Sequence, residues 1–394
     1  MEQLIENSKP PYIVLMLSGL AQILLWGGSY FLLSVLSGPI MQETGWSYQQ
    51  VYGCLSLALL ISGLLLPGIG KMIQQSEKNV ILHYTGIVMG IGLIMIGLAK
   101  SYLLFVLGWV VIGVGMGMGL YDALFASLGK LYGTKAKKVI VWVTLIASLA
   151  PSVSWPFTSF LLQQSGWRHT CFALAGILMI VIYPVHKYIF QPTIKTATVA
   201  PSANVAFRSK IFYLLLANFT IGAIITTGVV VHLIDILSAK KIGMSTILFI
   251  VAFLGPSQSA ARTLELMMAN RSAVEMAFIS TFAMLLGIGL LFFHPSLATI
   301  GIIIFGVGNG MRSVLRGTLP LAIYGPEHYP LVIGRLARMP LIAQAAAPFI
   351  GGFMIQQFGT TIYLCSLCAL LLINLVLIWN IKSYELQLQK SQLR

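Results

Sequence analysis

Two arginines, Arg312 and Arg316, stand inside an apolar stretch that is long enough to cross a membrane, FGVGNGMRSVLRGTLPLAIYG (305–325). An arginine at the centre of a bilayer costs roughly 2.5–3.5 kcal/mol on insertion scales, so such residues usually serve a function. Their i, i+4 spacing puts both on one helix face, which Asn309 shares. Because a guanidinium matches carboxylate and phosphate geometry, we favour contact with an anionic solute for Arg312. For Arg316 we favour an ion pair with an acid on a neighbouring helix. An ion pair is the alternative for Arg312, and contact with the solute is the alternative for Arg316.

Acidic residues are scarce: the chain has ten Asp and Glu against 24 Lys and Arg. Asp122 lies inside the fourth apolar stretch, Glu265 follows Arg262 at i, i+3, and Asp235 follows His232 at the same spacing. Histidine titrates near neutral pH, and carboxylates within membranes often relay protons. We therefore name candidates for proton coupling: Asp122, Glu265, His232 and Asp235. The alternatives are a structural Arg262–Glu265 pair and a histidine that packs at an interface.

An amide and two aromatic side chains, Gln22, Trp26 and Tyr30, recur at helical spacing on the first apolar stretch. Such a face suits the binding of an organic solute. Packing against another helix is the alternative, since the neighbouring Gly27 and Gly28 let two backbones approach closely.

The composition is that of a membrane protein. Of the 394 residues, 58% are hydrophobic and 9% are charged, and the mean hydropathy is +0.90. A soluble domain of this size would lack the surface charge that keeps it in solution. The net charge of +14 is typical of basic cytoplasmic loops, so we expect no nucleic-acid partner.

Repeated stretches of about 20 apolar residues predict an all-α membrane protein with twelve transmembrane helices. The predicted spans are 12–36, 51–73, 80–98, 101–128, 139–163, 168–189, 210–237, 244–269, 275–294, 296–323, 331–357 and 360–382. The longest polar connection is basic and rich in Thr, Ser and Pro. It divides the chain into an N-terminal six-helix bundle (1–189), a cytoplasmic linker (190–209) and a C-terminal six-helix bundle (210–394).

The basic residues between spans predict the orientation. With the N-terminus inside, fifteen Lys and Arg fall in cytoplasmic segments and four in outer loops, namely Lys100, Arg168, Lys240 and Lys241. This positive-inside bias predicts a multi-pass protein of the inner (cytoplasmic) membrane, with both termini cytoplasmic.

Motifs for a cofactor or an enzyme are not found. Cys365 and Cys368 form a C-x-x-C pair without a nearby histidine or second pair, which favours packed thiols over a metal site. No H-E-x-x-H or G-x-S-x-G motif occurs, and the glycine runs follow no strand. We expect no enzyme activity, no cofactor and no metal.

The two halves repeat in sequence. GVGMGM at 113–118 matches GVGNGM at 306–311, and QQSG at 163–166 matches QQFG at 356–359, both at an offset of 193 residues. Two matches in one register predict a duplicated six-helix unit, and hence two pseudo-symmetric bundles.

Twelve spans, a central cytoplasmic loop and a parallel repeat resemble the major facilitator superfamily of secondary transporters. The family's loop motif after the second span is degraded here to GKMIQQSEKN (70–79): Gly70 and Lys78 fit, whereas Gln74 replaces the acid and Glu77 a glycine. Within the superfamily, GLYDALFASLGKLYG (119–133) and RGTLPLAIYG (316–325) followed by APFIGG (347–352) resemble a bacterial subgroup.

The resemblance implies alternating access, in which the first span lines the solute path and the fourth and fifth spans face the tenth and eleventh at the cytoplasmic mouth. It therefore implies a cytoplasmic gate between Asp122 and Arg316, Arg335 or Arg338. We expect a monomer in the lipid bilayer that moves a small, anionic organic solute, with H+ as the coupling ion. The alternative function is a broad efflux pump for amphipathic or toxic compounds.

Overall fold

Helices make up nearly all of the described chain. A computed structural model describes residues 12–75, 80–132, 136–190, 209–267, 271–293 and 295–392, and no strand occurs in these ranges. Four residues named above have helical backbones, but their side chains are not among those that the structure describes: Arg262, Glu265, Arg335 and Arg338. The end of the loop motif, residues 76–79, also lies outside the described residues.

The described helices are numbered here in chain order. They are α1 (Tyr12–Gly27), α2 (Leu32–Thr44), α3 (Tyr48–Gln75), α4 (Val80–His83), α5 (Thr85–Leu98), α6 (Tyr102–Gly119), α7 (Tyr121–Tyr132), α8 (Ala136–Ala147), α9 (Ala150–Ile189), α10 (Lys210–Ser238), α11 (Met244–Ala252), α12 (Leu254–Met267), α13 (Ala273–Leu290) and α14 (Ala298–Gln392), with a 3₁₀ turn at Pro295–Leu297.

Nine helical segments among the described residues are long and apolar enough to cross a membrane. Two of them, Trp142–Ile189 and Met339–Tyr384, have 48 and 46 residues, which at 1.5 Å per residue is more than twice a hydrocarbon core of about 30 Å. A glycine with positive φ divides each segment, Gly166 at 75° and Gly359 at 81°. These breaks agree with separate predicted spans on either side of each glycine. The total of twelve stays a prediction.

The chain divides into two compact units, Met1–Thr198 and Val199–Arg394. The division falls within the predicted linker, most of which lies outside the described residues. The predicted limits at 189 and 210 stay predictions. In the first unit a core of buried apolar side chains joins α1, α3, α7, α8 and the end of α9, and in the second a similar core joins α10, α12, α13 and both ends of α14.

The same packing pattern occurs in both units. In the first unit a side chain at Gly113 would overlap the backbone of Ala58 in α3, and one at Gly115 would overlap Met89 in α5. In the second unit the repeat partners Gly306 and Gly308 face α12 and α13 in the same way. Alternate glycines thus let each unit's fourth span pack tightly against its second and third spans. The prediction of two pseudo-symmetric all-α bundles is confirmed.

The run of helical residues called α14 turns back on itself. A straight helix of its 95 residues would extend about 140 Å. However, Arg312 and Asn374, 62 positions apart, are hydrogen-bonded to each other at 3.2 Å. The part that holds Arg312 and the part that holds Asn374 therefore lie side by side within the second unit.

At one edge of the first unit, Arg168 on α9 is hydrogen-bonded to the ends of α2 and α5. Its Nε donates to Glu43 Oε1 at 2.8 Å, and its Nη1 donates to the carbonyls of Gly97 and Ala99 at 2.9 and 2.8 Å. The indole of Trp167 donates to the other oxygen of Glu43 at 2.6 Å. Because the last carbonyls of a helix have no intrahelical donor, Arg168 caps α5 while it joins α2 to α9.

Candidate functional site

In the second unit, the guanidinium of Arg312 is held by three side chains and one backbone carbonyl. Nη2 donates to the carbonyl and the Oδ1 of Asn218 at 2.6 and 3.4 Å. Nη1 donates to Thr281 Oγ1 and Asn374 Oδ1, each at 3.2 Å. These partners come from α10, α13 and the distal part of α14. Arg312 therefore ties four helical segments together.

Room for the guanidinium comes from a glycine on α10. A Cβ at Gly222 would overlap Nε, Nη2 and Cζ of Arg312. Gly222 is one turn after Asn218, so its bare surface opens the way to the Asn218 carbonyl. This close approach explains how an arginine can lie against a helix backbone inside an apolar bundle.

None of the described groups that bind Arg312 is a carboxylate. The ion pairs of the described part of this unit involve His232 with Asp235, and Glu275 with Arg271 and Lys382. Arg316, half-buried one turn beyond Arg312, makes no ion pair with a described side chain of its own unit. The ion-pair alternative for Arg312 therefore has no partner among these residues, and contact with a solute stays a prediction.

Asn309 lies on the same face of α14 as Arg312 and is partly exposed. Its Oδ1 accepts a hydrogen bond of 2.8 Å from Thr226 on α10. This bond fixes the orientation of the amide, and its NH₂ group has no acceptor among the described residues of the unit. Asn309 therefore offers a hydrogen-bond donor one turn from the guanidinium.

His232 is fully buried on α10. Its Nε2 lies 3.2 Å from the carbonyl of Pro348 and its Nδ1 lies 3.8 Å from Asp235 Oδ2, while its ring meets that of Tyr363 edge-on at 5.8 Å. The i, i+3 spacing of His232 and Asp235 in the sequence therefore corresponds to a contact between their side chains. Glu265, the other acid predicted for coupling in this unit, lies outside the described side chains.

In the first unit, Gln22 connects α1 to a break between α6 and α7. Its Nε2 donates to the carbonyl of Gly119 at 2.7 Å, and its Oε1 accepts from Trp26 Nε1 at 3.2 Å. Leu120, between the two helices, is extended with ψ of −174°, which interrupts the helical bonding there. A backbone break at membrane depth needs protein partners or a polar cavity, and Gln22 supplies one partner.

Aromatic rings surround this break. Trp26 lies 5.2 Å from Tyr30 and 5.1 Å from Tyr121, measured between ring centroids. Phe31 lies 6.0 Å from Trp26 and 5.5 Å from Trp155. We call these five residues the aromatic cluster. The structure brings Gln22, Trp26 and Tyr30 together as the sequence pattern suggested, and it adds α7 and α9 residues that the pattern did not identify.

The predicted gate residues belong to different units. Asp122 is exposed in the first turn of α7 and makes no ion pair with a described side chain of the first unit. Arg316 is in the second unit, and the side chains of Arg335 and Arg338 lie outside the described ones. The gate therefore stays a prediction.

The sequence pattern missed the groups around Arg312. Asn218 and Asn374 are single amides in the apolar runs LLLANFT and LLLINLVLIW, and a lone polar residue in a span is itself a signal of function. Thr281 and Gly222 gave no comparable signal. Among the described residues, no three His, Cys, Asp or Glu side chains are close enough to hold a metal ion.

Three solved structures with the same fold are transporters or homologues of transporters. A bacterial homologue of the human lysosomal transporter Spinster, inward-facing and occupied, has a TM-score of 0.73 at 14% identity, covering 96% of this chain and 98% of that one. The same protein, inward-facing and unoccupied, gives 0.66 at 14% identity, covering 96% and 97%. The nucleoside transporter NupG, as a point mutant, gives 0.68 at 13% identity, covering 94% and 98%.

Comparison with curated protein sequences gives no match. The sequence profile of the Major Facilitator Superfamily, by contrast, matches residues 18–311, about three quarters of the chain. The helical architecture, the repeated halves and this match lead to one conclusion: the chain belongs to the Major Facilitator Superfamily of membrane transporters.

Proposed function

We propose that this protein is a secondary active transporter for a small, anionic organic solute, driven by a proton gradient. The observation that supports the anionic class is the guanidinium of Arg312, which four neutral acceptors hold and no described carboxylate of its unit neutralises. Arg312 is partly buried, and a cation that is shielded from water without a counter-charge is costly in a low-dielectric interior. A bound carboxylate or phosphate would relieve that cost, and this relief would favour anions over cations.

Solute contacts are proposed in both units. In the second unit, Asn309 donates to the anionic group while Arg312 supplies the positive charge. In the first unit, Gln22, Trp26 and Tyr30 accompany the break between α6 and α7, as expected for discontinuous helices that form transport sites. Asp122 with Arg316, Arg335 or Arg338 is the proposed cytoplasmic gate.

Proton coupling is proposed for the His232–Asp235 pair, with Asp122 and Glu265 as further candidates. The imidazole of His232, a group that can bind a proton, lies 3.8 Å from a carboxylate and 3.2 Å from a helix carbonyl. A proton taken up by the imidazole would turn the Asp235 contact into an ion pair, and so would alter how α10 is held.

A second function is favoured by the aromatic cluster. Tyr30, Phe31 and Trp155 are buried, whereas Trp26 and Tyr121 are partly exposed. These two rings offer stacking surfaces that suit amphipathic or toxic compounds without regard to charge. In that case the protein would be an efflux pump of broad specificity, and Arg312 would serve the packing of the second unit.

Transport by purified protein in proteoliposomes with an imposed pH gradient separates the two functions. The probes are labelled mono-, di- and tricarboxylates and the cationic dye ethidium. We expect carboxylate transport that Arg312→Gln abolishes. Carboxylate transport that persists in Arg312→Gln would contradict the anionic proposal, and transport of ethidium alone would favour the efflux pump.

A further inference from the structure

The described side chains around Arg312 accept hydrogen bonds from its Nη1 and Nη2 groups without neutralising its charge. Asn218 and Asn374 are 2% and 0% exposed, and Thr281 is 0% exposed. All three present oxygen atoms to the guanidinium at 3.2–3.4 Å. We call Asn218, Thr281 and Asn374 the neutral cradle.

The members of the cradle also bind one another. Asn218 Nδ2 donates to Asn374 Oδ1 at 3.0 Å, and Asn374 Nδ2 donates to the Asn218 carbonyl at 2.9 Å. Thr281 Oγ1 is 2.9 Å from the carbonyl of Ala277 and 3.4 Å from Asn374 Oδ1. With both NH₂ groups used in this way, each amide leaves its oxygen as the acceptor for Arg312.

An acid would fit where the chain has an amide. Asparagine and aspartate have nearly the same shape. An aspartate at either position would form an ion pair with the guanidinium, although it would lose the one hydrogen bond that the amide NH₂ donates within the cradle. Such a pair is the usual way to bury an arginine. The cradle orients the guanidinium as an ion pair would, but it leaves the positive charge without a counter-charge.

We propose that the neutral cradle is a specificity-determining device, which fixes Arg312 in place so that its charge is neutralised only by the transported anion. This inference rests on the anionic function proposed above, and it adds Asn218, Thr281 and Asn374 as positioning residues. The anion would be a carboxylate or phosphate group that accepts from Asn309, one helical turn away, and lies within the field of the guanidinium. Protein and solute together would then carry no net charge at this point.

The test places a charge in the cradle without changing its shape. In Asn374→Asp, a carboxylate within about 4 Å of Arg312 would cancel its field, and we expect carboxylate transport to fall by roughly 100-fold or more. In Asn374→Ser, which is neutral but shorter, we expect a loss of only several-fold. A merely structural role would give the opposite order, because aspartate loses only the Nδ2 bond to the Asn218 carbonyl and keeps the bond to Arg312, whereas serine loses both.

The control is Asn380→Asp, which adds the same charge to the exposed face of the same helix. Asn380 donates to the Val376 carbonyl one turn away, and transport by this variant should match that of the wild type. Thermal unfolding in detergent should show Asn374→Asp at least as stable as Asn374→Ser. Carboxylate transport that survives in Asn374→Asp would overturn the cradle inference alone. Wild-type protein that carries no carboxylate would instead overturn the proposed function.

Discussion

Arg312 donates from Nη2 to the backbone carbonyl of Asn218 at 2.6 Å, which ties α14 to α10. Its partner in the 193-residue repeat is Gly119, and the carbonyl of Gly119 accepts from Gln22 at 2.7 Å. Each unit thus joins its first and fourth spans at the same repeat position by a side chain bonded to a carbonyl. The direction is reversed between the units, and only the second unit uses a charged group.

Gly222→Ala is expected to displace the Arg312 guanidinium, since the new Cβ would occupy its place. Overpacking of this kind costs about 1–3 kcal/mol, measurable as a lower temperature of thermal unfolding in detergent. Gly289→Ala is the matched control, because a Cβ there meets nothing within 4 Å. Equal effects of the two substitutions would contradict the close approach of Arg312 to α10.

Gln22→Leu is expected to leave the Gly119 carbonyl without its side-chain donor and to release Trp26. Removing one partner of a buried hydrogen bond costs about 1–3 kcal/mol, and the loosened cluster should weaken solute transport at the same time. Gln163→Leu, at an exposed position, provides the comparison in both thermal unfolding and liposome transport. The proposed role for this break fails if Gln22→Leu transports as well as Gln163→Leu.

Arg168→Ala is expected to destabilise the first unit by roughly 1–3 kcal/mol, because the carbonyls of Gly97 and Ala99 lose their donor. Glu43→Gln should cost less, since exposed ion pairs contribute little and the amide can still accept from Trp167. Lys100→Ala, an exposed neighbour, should have no effect. Thermal unfolding of the four proteins gives the order, and a larger loss in Glu43→Gln would show that the ion pair dominates.

Asp122→Asn is expected to open the cytoplasmic side more often if Asp122 forms the predicted gate. Alkylation of a cysteine at Ala126, in protein whose four native cysteines are replaced by serine, measures this access. Arg316→Gln should raise the alkylation rate similarly. The double variant Asp122→Arg with Arg316→Asp should return the alkylation rate to that of the wild type. Unchanged access and unchanged transport in Asp122→Asn would remove the gate from consideration.

His232→Gln is expected to abolish accumulation driven by a pH gradient while downhill exchange of solute continues, since glutamine can donate to Pro348 but cannot titrate. The readout is the ratio of the two transport modes in the same liposomes. His169→Gln serves as control, because His169 is exposed and lies 2.9 Å from the Ser165 carbonyl of its own helix. Retained accumulation in His232→Gln would exclude His232 as the proton carrier.

Hydropathy, charge bias and the 193-residue repeat were enough to predict an all-α membrane fold with two similar halves. They suffice because a bilayer permits few structures: spans must be apolar, helical and about 20 residues long. The same rules located Arg312, Gln22 and His232, since a polar group in an apolar run stands out in the sequence alone.

Only the tertiary structure decided what those groups touch. Asn218, Thr281 and Asn374 lie up to 156 positions apart, and the packing of four helical segments brings them to one guanidinium. The break at Leu120 also depends on a contact, because Gln22 comes from 97 residues away to bond the freed carbonyl. Periodicity specifies which face of a helix is buried, whereas the partner across that face is chosen by the packing of the whole bundle.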